Sequence, residues 1–403
     1  MDRLRRLALV VPLAALAGCA GQRGTPPRWA SAALAPLPPL PAPAKLAFAP
    51  QYELTRDSGT PWGEGLAFGA LWRHDVPDGD VLRGLAIAGD GTVLTVESRK
   101  DSYSDAELCR LDASGRTASR APIRGSVKSL AAGDFGGHPA LLAQSDYTLQ
   151  VLDPSGTRVW APSATLQKAV LADLDGDGEN ELVAAMPDYK GIVGAFSADG
   201  RELWTRKGFD HVEGLAAGRF GEDRAESIVV FGSVKGVSRV SLLNGKGRTV
   251  GSFSDDSVPE LGAVLRRAGA ATWLVHEGSK YQTEHTRVRI SRIEGGRRTS
   301  SAEADAGRAR VLSLVVADLR GDGRKEIVLG TDNGWLLIYD ENARFLAEKH
   351  FFGEIRSLAA ADLDRNGRQE LLVGVYGTSP EVYAFGIVLK PVIKAGSPRG
   401  GRK

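Results

Sequence analysis

Four carboxylates stand at loop positions 1, 3, 5 and 9 of one short stretch, Asp173-Leu174-Asp175-Gly176-Asp177-Gly178-Glu179-Asn180-Glu181. Gly178, at position 6, permits a sharp turn that points Asp173, Asp175, Asp177 and Glu181 inward. Two carboxylates about 4 Å apart repel by roughly 4 kcal/mol at an effective dielectric near 20, so a positive charge belongs among them. Hard oxygen donors on a flexible loop suit Ca²⁺ better than Mg²⁺ or Zn²⁺. The stretch is not an EF-hand, which needs a bidentate Glu at position 12 and a helix after it. Position 12 is Ala184, and short apolar runs lie on both sides, Lys168–Ala172 before and Leu182–Met186 after. Such runs around a Gly/Asp loop predict a β-hairpin. The alternative for these acids is a solvated acidic turn.

Two further stretches share the pattern. Asp318-Leu319-Arg320-Gly321-Asp322-Gly323 leads to Glu326, and Asp362-Leu363-Asp364-Arg365-Asn366-Gly367 leads to Glu370. An apolar run follows each. The shared unit, Ala-Asp-Leu-x-x-(Asp/Asn)-Gly-x-x-Glu-(Leu/Ile), resembles the FG-GAP or VCBS repeat of integrin-like β-propellers. That resemblance implies a Ca²⁺ loop between the first two strands of a blade. Carried over by residue, it implies one full site at Asp173, Asp175, Asp177 and Glu181, and a second at Asp362, Asp364, Asn366 and Glu370. The copy with Asp318, Asp322 and Glu326 departs from the pattern at Arg320. Its guanidinium is expected to replace the ion by pairing with Asp318 and Asp322.

Stepping from the loops to the elements that hold them, short apolar or alternating runs recur with a period of about 40 to 50 residues, which signals blades or solenoid turns. No long helical periodicity is present. Aligned on the loop, seven copies emerge. Those beginning near Leu85 and Leu261 are the weakest, and others lie at Ser129–Phe135 and Gly214–Phe220. Third and fourth strands follow most loops, as in Gly191–Phe196 and Glu202–Trp204. The seventh copy lacks a fourth strand before the chain's basic end. Ala70-Leu71-Trp72-Arg73-His74, ahead of the first copy, resembles the fourth strand around Trp204 and would complete the last blade. Closure of this kind protects sheet edges. The expected fold is all-β: a seven-bladed β-propeller of four-stranded blades over residues 51–389, the last blade closed by an N-terminal strand.

The chain's start reads as a targeting segment. Arg3, Arg5 and Arg6 precede an apolar run from Leu7 to Leu16 that is too short to span a bilayer. Leu16-Ala17-Gly18-Cys19 resembles the lipobox of bacterial lipoproteins. The resemblance implies a signal peptide over 1–18, lipidation at Cys19 and, with Ala20 next, an outer-membrane lipoprotein facing the periplasm or the cell surface. An ordinary secretory signal is the alternative. Residues 19–50 hold eight of the chain's 20 prolines and read as an extended stalk. Residues 390–403 read as a basic, unpacked tail. Cys109, the other of two cysteines, leaves no intrachain disulfide and reads as a small core residue.

Five of the 8 tyrosines (Tyr103, Tyr147, Tyr189, Tyr281 and Tyr376) fall between predicted second and third strands. The propeller resemblance puts those loops on the face opposite the Ca²⁺ hairpins. Tyrosines on rigidly held loops are anchors for a protein or glycan partner. The competing role is to cover the end of each blade. A formal net charge of +2 gives no case for nucleic acid. The six histidines show no ligand or nucleophile spacing, and no phosphate-binding Gly motif is present. The reading is a lipid-anchored envelope propeller that binds or scaffolds, with structural Ca²⁺. Two others stay open: an enzyme, polysaccharide-active or quinoprotein-like, and an assembly platform of the outer membrane. The platform is similar in layout to the propeller lipoprotein of the barrel-insertion machine, which has eight blades and lacks acidic loops.

Overall fold

A computed structural model describes residues 66–389, apart from eight internal stretches: 101–104, 146–147, 163–165, 187–190, 221–222, 257–258, 267–271 and 279–285. The signal, Cys19, the Pro-rich segment and the basic tail lie outside the described residues. Those residues form seven antiparallel four-stranded sheets and no helix. Six blades are built from consecutive strands, over 80–124, 129–160, 167–206, 211–254, 262–305 and 311–350. The seventh joins strands Glu354–Ala361, Glu370–Tyr376 and Glu381–Leu389 to Leu66–Asp75, which pairs with Glu381–Leu389 from Leu66↔Leu389 to Asp75↔Glu381. The first and fifth copies, weakest in sequence, are complete blades.

Each first strand contacts the first strands of the blades before and after it, so these seven strands form a closed inner ring. The second strands lie between blades on both faces. They are buried along most of their length rather than alternating, with an apolar centre and polar ends, as in Glu326–Thr331, where every residue is buried. Outer strands meet water and tolerate polar residues, as in Thr117–Arg124. Phe135, Phe231 and Phe385 fill the space between sheets.

The likeness of Trp72 to Trp204 has a physical counterpart. The Trp204 ring lies against Gly247, in the third-to-fourth-strand turn of the next blade, where a Cβ would fall 2.7 Å from the indole. Trp72 lies in the same way against Gly115 of the first blade, at 2.4 Å. Both glycines have positive φ, +71° and +78°, so the turn needs glycine twice over. The closing strand thus makes the same blade-to-blade contact as an ordinary fourth strand. It adds a buried polar weld: His74 Nε2 lies 2.8 Å from Glu97 Oε1, and Arg120 reaches Glu97 Oε2 at 3.1 Å. Cys109, across the strand pair from Thr95, is fully buried, and burial first, then nearby Glu97, pushes its thiol up to about 12.

The fifth blade carries no acidic loop and is welded otherwise. Asp255, just past the last strand of blade 4, is buried between Arg289 and Arg298 of blade 5, with Arg298 Nη1 at 3.1 Å. Arg289 also holds Glu303 at 2.9 Å.

Candidate metal centres and the opposite face

The loop of blade 3 joins first strand Gln167–Ala172 to second strand Glu181–Ala185. Gly176 and Gly178 adopt φ of +84° and +97°, which close the turn, while the Leu174 side chain is buried beneath it. Asp173 accepts N–H bonds from Gly176 at 2.7 Å and Gly178 at 3.2 Å. Asp175 accepts from Asp177, and Asp177 from Glu179. Each carboxylate keeps acceptor capacity, and one oxygen from each of Asp173, Asp175 and Asp177 lies within 4.8 Å of the others. In blade 7, Asp362, Asp364 and Glu370 meet the same condition. Both sets offer only oxygen, the donor chemistry of a hard cation.

Glu181 has a distinct task. Its Oε2 accepts the N–H of Leu174 at 2.9 Å, tying position 9 to position 2. Glu326 does this to Leu319 at 3.0 Å, and Glu370 to Leu363 at 2.7 Å. The Glu at position 9 is therefore a loop clamp in all three blades, with or without an acidic neighbourhood. Burial, and then the charges of Asp175, Asp177 and Asp173, raise the Glu181 pKa. Burial, with Asp364 and Asp362, pushes Glu370 up to about 7. Asn366 turns its Nδ2 to Asp364 at 2.8 Å and its Oδ1 to the N–H of Arg368.

In blade 6 Arg320 reaches Asp322, one of the two acids expected for it, and adds Glu326. Arg320 Nε donates to Glu326 Oε1 at 2.7 Å, while its Nη2 is 3.7 Å from Asp322. Asp318 instead accepts the N–H groups of Asp322 and Gly323. The side chain therefore also reaches the fully buried acid at the base of the loop, where charge is least screened.

Position 8 of the loop went unread in the sequence. Gln369 Oε1 accepts the N–H of Asp318 in the preceding blade at 2.7 Å, and its own N–H returns to the Asp318 carbonyl. Glu226 makes the same exchange with Asp173, and Asn180 Nδ2 donates to the Asp134 carbonyl at 3.1 Å. Blade 5 substitutes the Thr272 hydroxyl, which donates to the Arg219 carbonyl. A polar side chain at the head of one second strand thus fastens position 1 of the previous loop. The recurrence of Asn, Glu and Gln just before the apolar run was the available signal.

On the opposite face, Tyr103, Tyr147, Tyr189 and Tyr281 lie outside the described residues. Tyr376 is half-buried. Its hydroxyl lies 3.0 Å from Ser357 Oγ, the Arg356 guanidinium sits 5.6 Å from its ring centre, and burial pushes it up to about 12. It covers the end of its own blade rather than standing free. It also lines a cavity of about 540 Å³ at the junction of blades 6, 7 and 1, with Leu82, Arg83, Phe351 and Arg356. Phe352 stands on the rim, 96% exposed.

No family model and no curated protein matches this chain. Several solved structures do. A lead-soaked crystal of BBS1N in complex with ARL6DN aligns with TM-score 0.54 and 13% identity, covering 73% of this chain and 89% of that one. The mercury-soaked form gives 0.55 and 13% over 81% and 97%. BamB from Moraxella catarrhalis gives 0.48 and 14% over 80% and 91%. At such identity the BBS1N likeness speaks to the fold alone, and with the seven sheets above, that fold is a β-propeller.

Proposed function

We propose that this chain is a binding or scaffold protein of the bacterial cell envelope, lipid-anchored at Cys19, with structural Ca²⁺ in blades 3 and 7. One observation carries the metal reading: two all-oxygen acidic trios occupy the same hairpin place in two blades, while a third blade fills that place with Arg320. The ion would hold Asp173, Asp175 and Asp177, or Asp362, Asp364 and Glu370, together and lock first strand to second. That is a structural task on the face away from the cavity. A binding role is supported by the cavity on the opposite face, with Phe352 exposed beside it, and by a propeller neighbour, BBS1N, seen in a complex with ARL6DN.

Thermal unfolding with Ca²⁺ and with chelator tests the metal; equal melting temperatures in the two would remove it. Cys19→Ser should move the protein out of the membrane fraction, and retention there through a covalent lipid would sink the anchor assignment. Crosslinking in intact envelopes tests the binding role: a protein that forms no adduct under any condition is not a scaffold.

A further inference from the structure

The first strands of several blades begin with a β-bulge at one recurring place. The pairing register skips Arg83 in blade 1, Glu213 in blade 4, Leu312 in blade 6 and Arg356 in blade 7. In blade 2, Lys128 and Ser129 both address Gln144, so Lys128 holds the same place. In blade 3 the skipped residue is Lys168, with φ of +49°. A bulge frees one residue from the ladder and re-aims its side chain. These strands form the inner ring, and each bulge lies at the strand end away from the acidic loops. The bulged residues therefore encircle the mouth of the central channel on the cavity face.

Their charges are not evenly spread. Arg356, Arg83, Lys128 and Lys168 come from four successive blades, 7, 1, 2 and 3. Glu213 and Leu312 occupy the other side. Arg356 is engaged by Glu354. Arg83 is half-buried and spends only its Nε, on Ser98 Oγ at 2.9 Å; among the described residues its two terminal nitrogens make no hydrogen bond. It lines the cavity with Leu82, Phe351, Tyr376 and the exposed Phe352; Asp332 and Glu354 also belong to the wall, and Glu354 is held by Arg356.

We infer that this basic arc and its cavity form a docking site for an acidic segment of a partner protein, one apolar side chain entering the cavity while a neighbouring carboxylate takes Arg83. The inference rests on the binding-protein reading above. A guanidinium with two unused nitrogens matches a carboxylate in a two-pronged arrangement. The apolar lining and Phe352 supply an anchor pocket of the kind that concentrates binding energy. A membrane surface fits less well. It is a continuous negative sheet that cannot enter a concavity.

The test uses the full chain and a fluorescein-labelled peptide of alternating Glu and Leu, read by anisotropy. Binding should weaken at least tenfold in Arg83→Glu with Lys128→Glu, and should fall as salt rises. Lys246→Glu, on the acidic-loop face, should bind as the parent does. Absence of peptide binding by the parent, or equal weakening by Lys246→Glu, overturns the proposal. Binding to phosphatidylglycerol vesicles that the arc variant abolishes, with no peptide binding, assigns the arc to lipid and overturns it too. Melting curves of each variant check that the fold is kept. If envelope crosslinks form equally in parent and arc variant, the docking site is wrong while the binding role stands; if the parent forms none, the binding role itself fails.

Discussion

The loops of blades 3 and 6 share a backbone and differ in where their positive charge comes from. Both have Leu at position 2 buried beneath the turn, glycines at positions 4 and 6 with positive φ, and a Glu at position 9 that accepts the N–H of position 2. Blade 3 gathers three aspartates, and a protein cation beside them, Arg219 of the next blade, reaches only Asp173 of the three, at 3.6 Å. Blade 6 puts Arg320 at position 3 and neutralises Glu326 from within the chain. The difference teaches that the hairpin fold does not depend on acidity: the Glu clamp and the glycines make the turn, and position 3 sets the charge that the turn carries.

Several variants would break or sharpen that contrast. The largest effect belongs to Glu326→Ala, which leaves Arg320 nearly buried without this partner and the Leu319 N–H unbonded. It should cost about 3–5 kcal/mol, equally with Ca²⁺ and with chelator, in urea unfolding. Dependence on Ca²⁺ would mean that blade 6 also takes an ion. Arg320→Asp should convert blade 6 into the blade 3 type. We expect a loss of about 3 kcal/mol in chelator, part of it recovered on adding Ca²⁺; no recovery would show that an acid at position 3 is not sufficient.

Asp175→Ala removes a candidate ligand without touching the clamp. In Ca²⁺ it should lose about the 2.7 kcal/mol that a ligand at roughly a hundred times its Kd contributes, and in chelator almost nothing. The same loss in both would identify Asp175 as a turn residue.

The smallest effect concerns a second buried carboxylate, Glu97, held by His74, Thr95 and Arg120. Burial opposes the Glu97 charge, yet bonds from His74 and Thr95 and the nearby Arg120 outweigh it and hold its pKa below the ordinary value. A depressed carboxylate contributes stability above its unfolded pKa, about 4.3, and that contribution is lost as pH falls through the lower folded value. Glu97→Gln should therefore cost about 1.5 kcal/mol near neutrality and flatten the acid limb of the stability curve. Like Glu326→Ala it should ignore Ca²⁺. An unchanged acid limb would remove Glu97 from the closure weld.

Blade number and strand order were legible because each blade repeats a local pattern of apolar runs around a Gly/Asp turn, and local patterns need only one chain segment to be read. Even the closing strand was legible, since Trp72 repeats the surroundings of Trp204. The candidate ligands at Asp173, Asp175 and Asp177 were legible for the same reason, their oxygens converging within a single loop. Contacts between blades were not. Asn180, Glu226 and Gln369 act on carbonyls or N–H groups 46 to 53 residues earlier, and nothing in their own segments names those partners.

The sequence by itself determined the seven hairpin-bearing units and the residue types that could gather a hard cation. Tertiary structure decided the remainder: that Glu181 clamps a backbone N–H, that Arg320 takes Glu326, that Tyr376 covers its own blade, and that Arg356, Arg83 and Lys128 stand side by side around the channel. The physical reasons differ. Glu181, Arg320 and Tyr376 find partners 6 to 19 residues away in their own loop or blade, where burial selects among several near groups, whereas the basic residues come from separate blades that only closure of the ring brings together.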